Sequence, residues 1–409
     1  MKELRTNHPL TCASAEAVHL YQEGVDRILG SQSAAAERLD RALAVEPSFT
    51  LAAVARYLVA RDAREPDAER FRTVAEEAAT RAAEWEQSHV DVLIGLAEQP
   101  GGAVDRARAH IQRVPGDLLV ISQLGGYLFF YGGPDKQHLV LDLLESVGQA
   151  LGDDWAYLAR LGFAASEHGD RRRGRRLLER ALDANPAALY SIHGLAHVLH
   201  DDGDIEESAG LLQSWLHDHE SDARGGQMYG HVQWHLALKE WQMGDVAAGV
   251  RRFETYCLPE NTSCGPVLTL ADCGGFLLRR YLADARPRPL AASVKKLIDD
   301  VWDMIVHPFM ALHVAGLYVS AADQDGLHRC RDAIANSSPG AYRDLSASLV
   351  NAMTRFATGD YQGAGRLLAS LPADQRVGVG GSNVERELIE LVEKSTRARL
   401  GVPADQRLH

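Results

Sequence analysis

The sequence predicts an all-α protein, a curved solenoid of antiparallel helix pairs, on three observations. Ala, Leu, Glu and Arg recur at helical spacing along most of the chain, while period-2 runs of Val, Ile, Thr and aromatic residues are scarce. Helical stretches end repeatedly at one dipeptide: His168-Gly169-Asp170, Asp202-Gly203-Asp204, Met243-Gly244-Asp245 and Thr358-Gly359-Asp360. Gly there adopts the left-handed conformation that closes a helix, and Asp caps the next one. Finally, 409 residues exceed one ordinary compact domain, and a continuous array of helix pairs is one way to reach that length.

Taken along the chain, the first pair starts near Glu16, with Ala35, Leu39, Ala42 and Pro47 in its second half. Between this pair and the next, Leu128-Phe129-Phe130-Tyr131 is apolar and aromatic and is expected in the core. The clearest pair starts at Trp155, with Leu161-Gly162, Gly174, Leu178, Ala181 and Pro186. A further one starts at Leu189, with Leu195-Ala196, Ser208, Leu212 and Trp215, and weaker ones start at Gly230 and Leu345. Gly169 and Gly203 stand 34 residues apart, the tetratricopeptide period, and the small and apolar residues fall at that repeat's defining positions. Small residues are needed where two helices approach closely. The segments 100–116, 131–136 and 284–290 read as inter-helix connections. The predicted organisation is 1–150, degenerate tetratricopeptide-like hairpins; 151–262, the clearest repeats; and 263–409, helical hairpins closing the array.

Composition narrows the function classes. Hydrophobic residues make up 46% and charged residues 24%, enough for a sizeable core and unlike a disordered chain. A net charge of −13 disfavours nucleic acid and anionic membrane as partners. No apolar run approaches a membrane span, and Met1 to His8 lacks the apolar core of a signal peptide, so a cytoplasmic location is expected. The cysteines at 12, 257, 264, 273 and 330 form no Cys-x-x-Cys pair and read as buried thiols. Arg171-Arg172-Arg173 with Arg175-Arg176 reads as a solvated face paired with Asp or Glu.

The histidines carry the chemical signal. His193, His197 and His200 follow at i, i+4 and i+7 and share one helix face, and one repeat later His231 and His235 again give i and i+4. In proteins resembling the tetratricopeptide pattern, these first-helix positions line the concave groove. The imidazoles then point toward one hollow, where they can share protons, grip an anionic ligand or bind an ion. Buried histidines of the core are the plainer alternative. No metal or other cofactor is expected, because no His-Glu-x-x-His helix or carboxylate at ligand spacing accompanies the pairs; if a metal is present, its ligands are His193, His197, His231 and His235.

Three segments carry a family resemblance: His193 to His200; His231 to Glu254, with Trp234-His235-Leu236-Ala237-Leu238; and Val377 to Glu387. They resemble the tetratricopeptide repeat protein 38 family, over most of the chain and most strongly from 150 to 260. The resemblance implies a helical-repeat fold more than an activity. It marks His193, His197, His231, Trp234 and His235 as matching positions, and points to Asp272, His313 and the Gly380-Gly381-Ser382-Asn383-Val384-Glu385-Arg386-Glu387 stretch. Here Ala311 stands where an Asp would be expected, and Asn383, Glu385 and Glu387 replace His, Gln and Asp. Ser382 followed by Glu385 also reads as a capping box, with an anion site near Ser382, Asn383 and Arg386 as the alternative.

Two functions stay open. In the preferred one, the groove encloses a small polar organic molecule, with His193, His197, His231 and His235 as catalytic acid/base groups. Trp234, Asp272, His313, Ser382, Asn383 and Arg386 then contact the substrate, and hydrolysis, elimination and cyclisation all fit. In the other, a non-enzymatic scaffold binds a peptide or partner protein. Groove positions holding His193, His197, Gly24, Met353 and Phe356, rather than Asn, Lys and Arg, favour the first. A homodimer is compatible with either.

Overall fold

The computed structural model describes residues 5–12, 14–131 and 133–402. Among them every regular element is helical, as the apolar stripes at three- and four-residue steps dictate. The chain divides into two compact units, one comprising residues up to Leu128, His138–Val232 and Ser263–Gly265, the other Phe129–Gln137, Gln233–Thr262 and the residues from Pro266 on.

The first unit begins with the pairs α1 (Ala15–Leu29) and α2 (Ala35–Val45), α3 (Thr50–Asp62) and α4 (Ala68–Ala79), and α5 (Glu84–Glu98) and α6 (Pro100–Arg113). Then come α7 (Leu118–Tyr131), α8 (Lys136–Ser146) and the single turn α9 (Gly148–Leu151), followed by the pair α10 (Trp155–Glu167) and α11 (Arg171–Ala184) and the pair α12 (Leu189–Asp202) and α13 (Ile205–Ala223). The next first helix is α14 (Tyr229–Gln242). The α10–α11 contact shows why the small residues recur. A Cβ on Gly174 would lie 2.7 Å from the Gly162 carbonyl oxygen, so glycine alone lets the two backbones meet. Leu178 is fully buried here and packs with Leu195 and Val198 of α12.

The second unit continues with α15 (Val246–Tyr256), α16 (Pro266–Asp284), α17 (Ala292–Asp300), α18 (Pro308–Ala321) and α19 (Gln324–Ala335), and closes with α20 (Ala341–Ala357), α21 (Tyr361–Ala369), the short α22 (Ala373–Gly378) and α23 (Asn383–Leu400). Its core gathers Trp234, Phe253, Phe276, Phe309, Met353 and Leu388, all buried. Helix α16 packs on α18, α18 on α20, and α21 on α23.

The Gly-Asp stops behave as their chemistry requires. Gly169, Gly203, Gly244 and Gly359 all have positive φ. The side chains of Asp170, Asp245 and Asp360 accept from the amides of Arg173, Ala248 and Gly363 at 3.0, 2.9 and 2.8 Å. Asp204 makes no such bond. Three arginines of the basic run are paired with acids as expected: Arg171 with Asp202, Arg173 with Glu145, and Arg175 with Glu179 and Glu207. Cys257, Cys264, Cys273 and Cys330 are buried free thiols, and Cys12 is half-buried.

Two expectations are corrected. Pro100-Gly101-Gly102 is not a connection but the first turn of α6, since proline's fixed φ suits the start of a helix and its missing N–H costs nothing there. Only the residues between α6 and α7 form the turn. Of the apolar stretch at 128–131, Leu128 is buried, whereas Phe129, Phe130 and Tyr131 are half-buried. Phe130 packs edge-on against Phe309, and the Phe129 ring carries the Lys136 ammonium 4.2 Å from its centre. No described helix is long and apolar enough to cross a membrane.

Candidate functional site

Helix α12 places His193 and His197 one turn apart, and both are buried. Gly194 makes room for this helix against α11: a Cβ there would come 2.6 Å from Leu178 Cδ2. The two rings face each other through their Nε2 atoms at 2.9 Å. His231, from the first turn of α14, puts its ring 5.0 Å from that of His193. The ligand atoms of His193, His197 and His231 all lie within 4.8 Å of one another. Phe163 of α10 closes one side, its ring 5.6 Å from His193 and 5.1 Å from His197. On the far side of the His197 ring, Nδ1 lies 3.7 Å from Oε1 of the buried Glu167.

Electrostatics keep the His193 ring neutral. Burial, reinforced by the charge His231 would carry, holds His193 well below the ordinary histidine value. Ring nitrogens of the three imidazoles therefore meet in one small, aromatic-walled volume. That donor set is the one a transition-metal ion takes, and a carboxylate behind a ligating ring is its usual companion.

The other residues singled out from sequence belong to the second unit. His235 follows His231 by one turn of α14 and is fully buried. Trp234 is buried, with the Arg279 guanidinium 5.8 Å from its ring. Asp272 is buried on α16. His313, on α18, donates from Nδ1 to the Phe309 carbonyl at 2.7 Å, and its Nε2 is buried without a partner among the described residues. Burial lowers its pKa against the opposing pull of Glu385. At the start of α23 the Ser382 amide donates to Glu385 Oε2 at 2.7 Å and the Ser382 hydroxyl accepts from the Glu385 amide at 3.3 Å, the capping box foreseen from sequence. Arg386 donates to the Gly381 carbonyl and, at 2.6 Å, to Asn383 Oδ1. The Glu385 carboxylate therefore accepts the Ser382 N–H that would otherwise be free to donate to an anionic ligand. Arg279 ties α16 to this corner through the Val384 carbonyl at 2.7 Å and Glu387 at 3.1 Å.

Sequence reasoning missed a second cluster. His89 of α5, His110 of α6 and Asp117 of the turn before α7 are buried together. Their spacing in sequence matches no metal or catalytic motif, and only the folding of α5 on α6 brings them into contact.

The fold and this cluster define a class: an all-α helical-repeat protein of tetratricopeptide-like helix pairs with a buried histidine centre. No family model matches the chain. Among solved structures it is similar to a monomeric mutant of IFIT1 with Gppp-AAAA, at 13% identity over 93% of this chain and 86% of that one, with a TM-score of 0.40. It is also similar to the TPR domain of P58(IPK), at 12% identity over 83% of this chain and 99% of that one, with a TM-score of 0.20.

Proposed function

We propose that the buried imidazoles of α12 and α14 bind a divalent transition-metal ion, and that the chain uses this centre to act on a small polar organic molecule. The observation that carries the reading is the geometry of His197. Its Nε2 faces His193 Nε2 at 2.9 Å while its Nδ1 faces the buried carboxylate of Glu167. Adjacent ligand atoms around an ion with bonds of about 2.0–2.1 Å are separated by roughly 2.9–3.4 Å, so the pair already has the required bite.

The ligands in this reading are His193, His197 and His231. When bound, such an ion supplies Lewis-acid polarisation of a carbonyl, phosphoryl or hydroxyl oxygen. Glu167 places a carboxylate behind His197, 3.7 Å from Nδ1, a charge that would favour a cation bound on the far side of the ring. Phe163 and Tyr190 border the rings and exclude water. A deprotonated, neutral His193 is available as a ligand at neutral pH without competition from its own proton. Hydrolysis, elimination and cyclisation all suit such a centre. We propose kinship with the tetratricopeptide repeat protein 38 family, which bears on the fold rather than on a reaction.

The test is elemental analysis of untagged protein purified without chelator, followed by titration of stripped protein with Zn²⁺, Mn²⁺ and Fe²⁺. The expected result is that the wild-type chain binds one equivalent more than a His193→Ala/His231→Ala variant does. If the wild-type chain and this variant carry the same metal content after loading, the reading is wrong and the histidines are core residues of a binding scaffold.

A further inference from the structure

We propose that His89, His110 and Asp117 form a second metal site, distinct from the α12–α14 cluster, which takes a divalent first-row ion through two imidazoles and one carboxylate. The three residues come from α5, α6 and the turn leading into α7, and all are more than nine-tenths buried. Their ligand atoms lie within 4.8 Å of one another. Both rings converge on a single oxygen, with His89 Nδ1 2.5 Å and His110 Nε2 3.0 Å from Asp117 Oδ2. At bonds of about 2.0–2.2 Å to nitrogen and oxygen, neighbouring donors stand roughly 2.9–3.4 Å apart, a range that already holds the His110–Asp117 distance and that the His89–Asp117 distance falls slightly short of.

The surroundings hold these groups in a ligating pose. Asp117 Oδ1 accepts from the Val120 amide at 3.3 Å, which anchors the carboxylate and leaves Oδ2 facing the rings. His110 Nδ1 lies 2.9 Å from Ser88 Oγ, the kind of outer contact that sets the tautomer of a ligating ring. The Nε2 of His89 is buried without a partner among the described residues, so this ring is placed through Nδ1 alone.

Two imidazoles and a carboxylate, with no thiolate, select ions such as Zn²⁺, Fe²⁺ or Mn²⁺. The site is covered: Trp85 donates to the Pro9 carbonyl at 2.9 Å, Thr11 donates to Glu86, and the His8 ring lies 5.7 Å from that of Trp85. An enclosed ion here serves structure, pinning α5, α6 and the start of α7.

The experiment uses the full chain, stripped of metal and titrated with Co²⁺, with bound metal counted after dialysis and followed by its visible absorption. In the His193→Ala/His231→Ala variant, one tightly held equivalent is expected to remain. Adding Asp117→Asn, or His110→Gln, to that variant should remove it while circular dichroism stays helical. Co²⁺ should also raise the melting temperature of the His193→Ala/His231→Ala variant, a readout that leaves the site intact and stands if the further substitutions fail to fold. No retained equivalent, an equivalent unaffected by Asp117→Asn, or an unchanged melting temperature overturns the proposal and leaves a hydrogen-bonded His–Asp–His brace. If wild type and the His193→Ala/His231→Ala variant hold the same single equivalent, lost with Asp117→Asn, this site stands and the α12–α14 metal reading fails.

Discussion

His193 and His197 meet through their Nε2 atoms at 2.9 Å, one turn apart on α12, in surroundings that exclude water from both. At that distance the two nitrogens either share the N–H of one neutral ring or flank a metal ion in its place, and burial keeps His193 from taking up a second proton.

Removing one of the two should therefore cost more than an outer contact does. His197→Ala is expected to weaken Zn²⁺ binding by about 100-fold or more, beyond the 10–100-fold usual for outer partners. Competition against a chromogenic chelator measures it, and an affinity equal to wild type contradicts the assignment.

Glu167→Gln keeps the shape of the side chain and removes its charge behind His197. Metal affinity should fall by about 10–100-fold with an unchanged helical spectrum. A loss of helix instead would make Glu167 a structural residue.

Stability should depend on pH with a definite sign. Folded His193 and His313 titrate below the ordinary value of 6.5, chiefly through burial. Above that value both folded and unfolded states are neutral there, and the contribution is fully present. As pH falls below it, the unfolded chain takes up protons that the folded rings refuse. Stability then declines, by up to about 1.4 kcal/mol per pH unit for each group. Urea midpoints of stripped protein between pH 8 and pH 5 should fall, and His193→Gln should flatten the slope.

Close helix approach can be tested with a pair of glycines. In Gly174→Ala the new methyl meets the Gly162 backbone oxygen at 2.7 Å, and the protein should lose about 1–3 kcal/mol. Gly210→Ala, inside α13 with nothing within 4 Å of the added carbon, should be neutral or stabilise by up to about 1 kcal/mol. Equal effects in urea unfolding would remove the packing explanation.

Much of the architecture was legible because it is encoded locally. Helix stops at Gly169, Gly203, Gly244 and Gly359 depend on one residue's φ preference and the next residue's side chain, and both appear in the sequence. The capping box at Ser382 and Glu385 is equally local. Pro100-Gly101-Gly102 misled because the same residues suit a turn or a first helical turn, and only continuation into α6 distinguishes them.

For the candidate site, the chain's own order determined that His193 and His197 share a helix face, as do His231 and His235, since 3.6 residues per turn leaves no choice. The tertiary structure alone decided which buried groups meet those faces. The helix period does not report that Glu167 of α10 stands behind His197, nor that Phe163 walls the rings. His89, His110 and Asp117 are the extreme case, with no two of them on one helix. Their convergence comes from the packing of α5 on α6 and the path of the following turn, and pairwise burial of apolar faces sets that packing long after sequence spacing has ceased to inform it.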